Sequence, residues 1–418
     1  MSHYIINGGR RLEGTVRLHG AKNATLPILA AATICGDSVI ANCPCLTDVE
    51  VALDILRHLG CDARREEDRI ITTQTVGGSC VIPDRLMGAM RSSIVFLGAM
   101  ISRFGCAQVT LPGGCELGSR PIDLHLSALR QMGAEIHEDC GALRCSAPQG
   151  LHGADITLSF PSVGATENIL IAAAAAKGET ILRGAAREPE IGDLIAFLKG
   201  CGGDISTDID GTIYIRGVSQ LHGTSHRVIP DRIAGGTYLC AGAITNGEVE
   251  LEEAEAAHLL STLAWLHNAG CRVNVNGRKV WLRGTPRLRE LGMVKTAPYP
   301  GFPTDMQAIL MAVAAVAQGT TVFVENIFDG RYRHIPELRK LGCDISVQGR
   351  VAVVNGGGPL HGAPLRCTDL RGGAAVVLAA MAAEGESQVE GIYHIDRGYE
   401  CMEQHLAALG GDIIRTGR

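Results

Sequence analysis

Chemistry is first suggested by the segment LPGGCELGSRP, Leu111 to Pro121, where Cys115 stands among three glycines with Arg120 five residues further on. Glycine gives the backbone access to positive φ, so the segment reads as a mobile loop. A thiol there is either a reactive group or an incidental cysteine in a surface turn. Elsewhere basic and carboxylate residues recur at loop-to-helix junctions: Lys22 with Asn23, Arg91, Arg232, Asp305 and Arg371 in one set, and Arg120, Arg187, Arg331 and Arg397 in another. Helix N-termini present free N–H groups and a positive dipole, so cations gathered at such ends suit an anionic ligand.

The elements that must position these residues come from an internal repeat. A helix-ending phrase occurs six times, as LRHLGCDA, LRQMGAEI, LKGCGGDI, LHNAGCRV, LRKLGCDI and LAALGGDI. Its shared glycines, Gly60, Gly133, Gly202, Gly270, Gly342 and Gly410, are 73, 69, 68, 72 and 68 residues apart. Each follows an amphipathic run and precedes an alternating one, the pattern of a helix closed by a C′ glycine and then a strand. The fuller unit is strand, loop, alanine-rich helix, strand, loop and the helix that ends in the glycine. The alanine-rich helices are apolar nearly all round and so should be buried, with sheets packed outside them. Three copies per globule give two domains, an inside-out α/β arrangement, with the fourth copy opening at RVIPD near residue 227.

The 418 residues carry a formal net charge of −6, which argues against nucleic acid as a general partner. The opening MSHYIINGGRRLEG contains no signal-like apolar run, and no later run is of membrane length. With 15 cysteines and no CxxC pair, a reducing cytoplasm is expected, with neither a metal nor a cofactor.

The motifs AKNATLPIL, MRSSIVFLGAMISRFG, LPGGCELGSRPIDLHL, SVGAT, AAREPEI, PDRI, KTAPYPGFPTDMQA, TDLR and YHIDRGYE, in this order along the chain, resemble the UDP-N-acetylglucosamine 1-carboxyvinyltransferases. The resemblance implies a pair of inverse α/β barrels, with residues 22–229 in one globule and residues 1–21 and 230–418 in the other. It implies an enolpyruvyl transfer from phosphoenolpyruvate to the 3′-hydroxyl of UDP-N-acetylglucosamine, with loss of phosphate, at the start of peptidoglycan synthesis. By the same resemblance Cys115 is the proton donor, the target of fosfomycin and a site of covalent adduct formation, and Asp305 is the base. Asp305 or Thr304 could instead cap a helix. Lys22, Arg120 and Arg397 would hold phosphate, and Arg371 and Arg397 the substrate carboxylate, for which the arginine fork is well shaped. Asn23, Arg91, the run Arg120, Pro121, Ile122, Asp123 and Leu124, the loop Ser162, Val163 and Gly164, Asp305 and Ile327 would contact the nucleotide sugar.

One position departs from the family pattern: Phe160 stands where a lysine is usual, which could weaken nucleotide binding, shift the charge contact to another residue, or merely mark a branch of the family. The sister activity, 5-enolpyruvylshikimate-3-phosphate synthase, shares the fold but lacks the LPGGC thiol. A non-catalytic nucleotide-sugar binder is the other alternative, and it would have no need of acid and base together. The distribution of these residues over two globules leads to the expectation that UDP-N-acetylglucosamine drives closure and orders the loop from Pro112 to Pro121.

Overall fold

In the computed structural model, which describes residues 2–75, 77–110, 122–139 and 141–417, all six recurring glycines take positive φ, from 78° at Gly60 to 102° at Gly342. In five copies the amide after the glycine bonds back to a carbonyl five residues earlier: Ala134 to Leu129, Gly203 to Leu198, Cys271 to Leu266, Cys343 to Leu338 and Gly411 to Leu406. This is how a left-handed residue closes a helix, and a side chain there would be strained. Glycine recurs because the geometry requires it.

Among the described residues the chain forms two compact units, Gly20–Ile229 and the remainder, residues up to His19 with Pro230 onward. In the first, helices Lys22–Ala32, Phe96–Phe104 and Val163–Ala174 pack against one another. In the second, Arg232–Ile244, Thr304–Val316 and Leu370–Ala382 do the same. Nearly all of their alanines are buried, including Ala30 to Ala32, Ala172 to Ala174 and Ala312, Ala314 and Ala315. Short side chains let the helices approach closely, and the apolar surface they remove from water stabilises each unit by roughly 25 cal/mol per Å². Three sheets pack on each helical centre, and each unit has its own hydrophobic core. The architecture is thus the inside-out α/β arrangement, three copies to a unit.

Copies one and four exchange their opening strands. Glu13–Arg17, from copy one, pairs in parallel with Glu248–Glu252 of copy four, while Ser225–Arg227, which opens copy four, pairs in parallel with Ser38–Ala41 of copy one. The fourth copy's opening strand therefore lies in the first unit, at residues 225–227. Backbone bonds fix both crossings: the Ala21 amide donates to the Ile229 carbonyl at 2.7 Å, and the Asp231 amide to the His19 carbonyl at 2.9 Å. The sixth copy takes its missing strand from the N-terminus, His3–Asn7, which is antiparallel to both Glu386–Glu390 and Asp412–Thr416. No helix among the described residues is long and apolar enough to cross a membrane.

Candidate active site

In the unit Gly20–Ile229, Lys22 begins its helix and is buried, with its Nζ 2.6 Å from Asp48 Oδ2. Asp48 lies in the first turn of Thr47–His58, so two helix N-termini bring the pair together. The side chains are 8% and 1% exposed, and in a pair this deep each charge helps to offset the desolvation of the other. Asn23 beside it is half-buried. Arg91 begins the 3-10 turn Arg91–Val95 that leads into Phe96–Phe104. Its side chain lies outside the described residues, as do Cys115, Arg120 and Pro121.

Ser162 caps the helix Val163–Ala174, its Oγ accepting from the Ala165 amide at 3.3 Å. At Gly164, in the first turn of that helix, a Cβ would lie 3.0 Å from the His125 ring, a tight contact that would require the ring to give way. His125 is buried, and burial pushes its pKa down to about 4. Its Nδ1 lies 2.8 Å from Asn168 Nδ2, which also donates to the Ile94 carbonyl at 3.0 Å, while Asn168 Oδ1 accepts from the Gly98 amide at 2.7 Å. One asparagine thus ties the Arg91, Asp123 and Ser162 segments together. Ile122 and Leu124 are half-buried, Asp123 is exposed in the first turn of Asp123–Gln131, and Phe160 is exposed. Glu167, one turn beyond the Ser162 cap, is buried, and burial, then Glu190 and Glu188, push its pKa well up.

In the other unit Asp305 is the second residue of the helix Thr304–Val316. The capping alternative fails here: the N-cap is Pro303 with no side-chain cap, and the Thr304 hydroxyl donates to Glu325 instead. Arg331 Nη2 donates to Asp305 Oδ1, and Arg371 Nε and Nη2 donate to Oδ2 at 3.2 and 3.1 Å. Both arginine side chains are only 3% exposed, whereas that of Asp305 is 27% exposed, so the carboxylate reaches solvent from a buried cationic seat. Arg371, expected to grip a substrate carboxylate, is here engaged with Asp305 and lies over the Tyr399 ring, 5.2 Å from its centroid.

Asp369 accepts from the Arg371 and Gly372 amides, and Asp231 does the same for Ile233 and Ala234, so each caps a central helix. Arg397 ends the 3-10 turn Ile392–Arg397 and is half-buried. The turn is fixed on both sides: Asp396 is held by Arg415 at 3.0 and 2.5 Å, and the Tyr399 hydroxyl lies 2.9 Å from Thr237 Oγ1. Ile327 is half-buried and donates its amide to Glu325 Oε1 at 2.8 Å.

Reading the sequence alone missed Asp48, Asn168, Asp231, Glu325 and Asp369. Asp231 and Asp369 carried a usable signal, an aspartate immediately before a helical run. The other three were invisible because the side chains they join, Lys22, His125, Thr296 and Thr304, are distant in sequence.

Residues 6–406 match the family model described as EPSP synthase (3-phosphoshikimate 1-carboxyvinyltransferase). UDP-N-acetylglucosamine 1-carboxyvinyltransferase 2 of Caldanaerobacter subterraneus subsp. tengcongensis is 46% identical, over 99% of this chain and 100% of that relative. The UDP-N-acetylglucosamine 1-carboxyvinyltransferase of Zymomonas mobilis is 45% identical over the whole of both chains. Among solved structures, the enolpyruvyl transferase NikO from Streptomyces tendae superposes with a TM-score of 0.89 at 29% identity, covering 99% of each chain. The EPSP synthase of Acinetobacter baumannii, 18% identical over the whole of both chains, shares the fold with a TM-score of 0.76. The chain belongs to the enolpyruvyl transferase family, among relatives of the UDP-N-acetylglucosamine 1-carboxyvinyltransferase type.

Proposed function

We propose that this protein transfers the enolpyruvyl group of phosphoenolpyruvate to the 3′-hydroxyl of UDP-N-acetylglucosamine in the cytoplasm, the first committed step of peptidoglycan synthesis. The observation that carries this reading is full-length identity of 45–46% to relatives of that name. It is supported by the setting of Asp305, a partly exposed carboxylate seated on two buried arginines.

The sugar hydroxyl oxygen adds to C2 of phosphoenolpyruvate while C3 gains a proton, giving a tetrahedral phosphate ester. Loss of the C3 proton then restores the double bond as inorganic phosphate leaves. Asp305 takes the hydroxyl proton, a role suited to a carboxylate within hydrogen-bond reach. Arg331 and Arg371 hold its orientation. Cys115 supplies the proton to C3, as a thiol beside cations can near neutral pH. Lys22, Arg120 and Arg397 balance the phosphate charge, which grows as the C2–O bond to phosphate breaks, and Arg371 and Arg397 face the substrate carboxylate. The nucleotide sugar lies along Asn23, Arg91, Arg120 to Leu124, Ser162 to Gly164, Asp305 and Ile327. Phe160 brings no charge to the diphosphate, so the cations of the other segments must carry that contact.

The family model's own description makes the shikimate reaction the second reading. Phosphate release from phosphoenolpyruvate, measured separately with UDP-N-acetylglucosamine and with shikimate 3-phosphate, decides between them. Release with only the sugar nucleotide is expected. Release with only shikimate 3-phosphate, or with neither, overturns the proposal.

A further inference from the structure

We infer that Glu325 is a positioning residue that couples the Ile327 segment, assigned to the nucleotide sugar, to the alignment of Asp305. The inference rests on the transferase reading above and adds to it a residue that touches no substrate.

Glu325 follows the strand Gly319–Val324 and is completely buried. Its Oε1 accepts from the amides of Ile327 at 2.8 Å and Phe328 at 3.0 Å and from Thr296 Oγ1 at 3.0 Å. Its Oε2 accepts from Thr304 Oγ1 at 3.0 Å. A carboxylate is an acceptor on both oxygens, and here it meets four donors drawn from three separate segments. The network continues on each side. Thr296 Oγ1 accepts from the Asn326 amide at 2.9 Å, which holds the other end of the same turn. The Thr304 carbonyl accepts from Arg331 Nε at 3.1 Å, and Arg331 also binds Asp305.

One buried carboxylate therefore sets the Ile327 amide on one side and, on the other, the first residue of the helix that carries Asp305. An aspartate would be one methylene too short to span both arms. A glutamine keeps one oxygen, and its amide can pair with Thr304 once that hydroxyl turns to accept. Alanine leaves two part-buried amides, the buried Thr296 hydroxyl and the part-buried Thr304 hydroxyl without their acceptor, a larger cost than one lost contact.

The test uses the full-length protein and steady-state phosphate release, with the unfolding temperature of each variant measured alongside. Wild-type turnover with UDP-N-acetylglucosamine is the prior condition, and its absence would count against the function and not against this inference. Given that turnover, Glu325→Ala is expected to lose on the order of a hundredfold in kcat, the penalty of misplacing a reacting group by about 1 Å, and to raise the KM for UDP-N-acetylglucosamine but not for phosphoenolpyruvate. Glu325→Gln is expected to recover activity to within about tenfold of the wild type, the worth of one hydrogen bond. Thr304→Val removes only the arm toward Asp305 and should lower kcat with the sugar-nucleotide KM unchanged. Should Glu325→Ala not fold, the glutamine and valine variants carry the test. A folded Glu325→Ala with wild-type kcat and KM, or a Thr304→Val with wild-type kcat, overturns the coupling. Equal losses with both substrates and no rescue by glutamine would reduce Glu325 to a purely structural role.

Discussion

Replacing Asp48 by asparagine leaves the shape of the Lys22 site nearly intact and removes the counter-charge of a buried ammonium. Nζ lies 2.6 Å from Oδ2, with the two side chains 8% and 1% exposed. Solvent screens such a pair weakly, and removing one partner of a buried pair costs about 3–5 kcal/mol because the other charge stays behind. For a unit of this size each kcal/mol moves the unfolding temperature by about 2–4 °C, so the loss should be roughly 6–20 °C. Asp54→Asn is the control. Its partner Arg57 lies at 2.8 Å with side chains 46% and 51% exposed, and a helix-surface pair of that kind is worth about 0.3–0.5 kcal/mol. Calorimetry of the wild type and the two variants, with and without inorganic phosphate, gives the comparison. Phosphate should raise the unfolding temperature of Asp48→Asn more than that of the wild type, because an anion next to Lys22 replaces part of the missing charge. The double variant Lys22→Met with Asp48→Leu should be more stable than either single charge deletion, since it leaves neither member of this pair buried without the other. An Asp48→Asn unfolding temperature within about 2 °C of the wild type, no larger than a surface pair produces, would refute the reasoning.

Asp305→Asn preserves size but cannot accept the hydroxyl proton, so kcat should fall by about 10²–10⁴-fold with little change in sugar-nucleotide affinity, as measured by turnover and calorimetric titration. Cys115→Ser should abolish or severely reduce turnover and remove sensitivity to fosfomycin, and wild-type turnover in this variant would dismiss the acid role. The pKa of His125 is lowered by burial to about 4, and that of His334 likewise to about 4. A base whose folded pKa lies below its unfolded one contributes stability that is complete above about pH 6.5 and lost as the pH falls toward 4. Each histidine should add a slope of about 1.4 kcal/mol per pH unit in that window, and His125→Gln should flatten the urea-unfolding profile by one proton's worth.

What the sequence determined by itself was whatever short-range physics enforces. A left-handed helix end strains every residue with a Cβ, so Gly60, Gly133, Gly202, Gly270, Gly342 and Gly410 had to stay glycine, and their spacing counted the copies. Helices without a polar face, such as Arg232–Ile244 and Leu370–Ala382, had to lie inside. Lys22, Asp305 and Arg371 stood out because they fall at the starts of such helices, Cys115 because glycines flank it, and most of the nucleotide-sugar residues only through the family resemblance. Tertiary structure alone decided which strand pairs with which and which charge meets which. Glu13–Arg17 joins Glu248–Glu252, and Ser225–Arg227 joins Ser38–Ala41, because parallel strands pair across long separations through backbone groups that every residue carries. Periodicity over three to five residues is too brief to name a partner. The same holds for Lys22 with Asp48, Asp305 with Arg331 and Arg371, and Glu325 with Thr304. Each is an ordinary polar residue in sequence and gains its role only when separate segments, most of them at helix N-termini, are brought to one place.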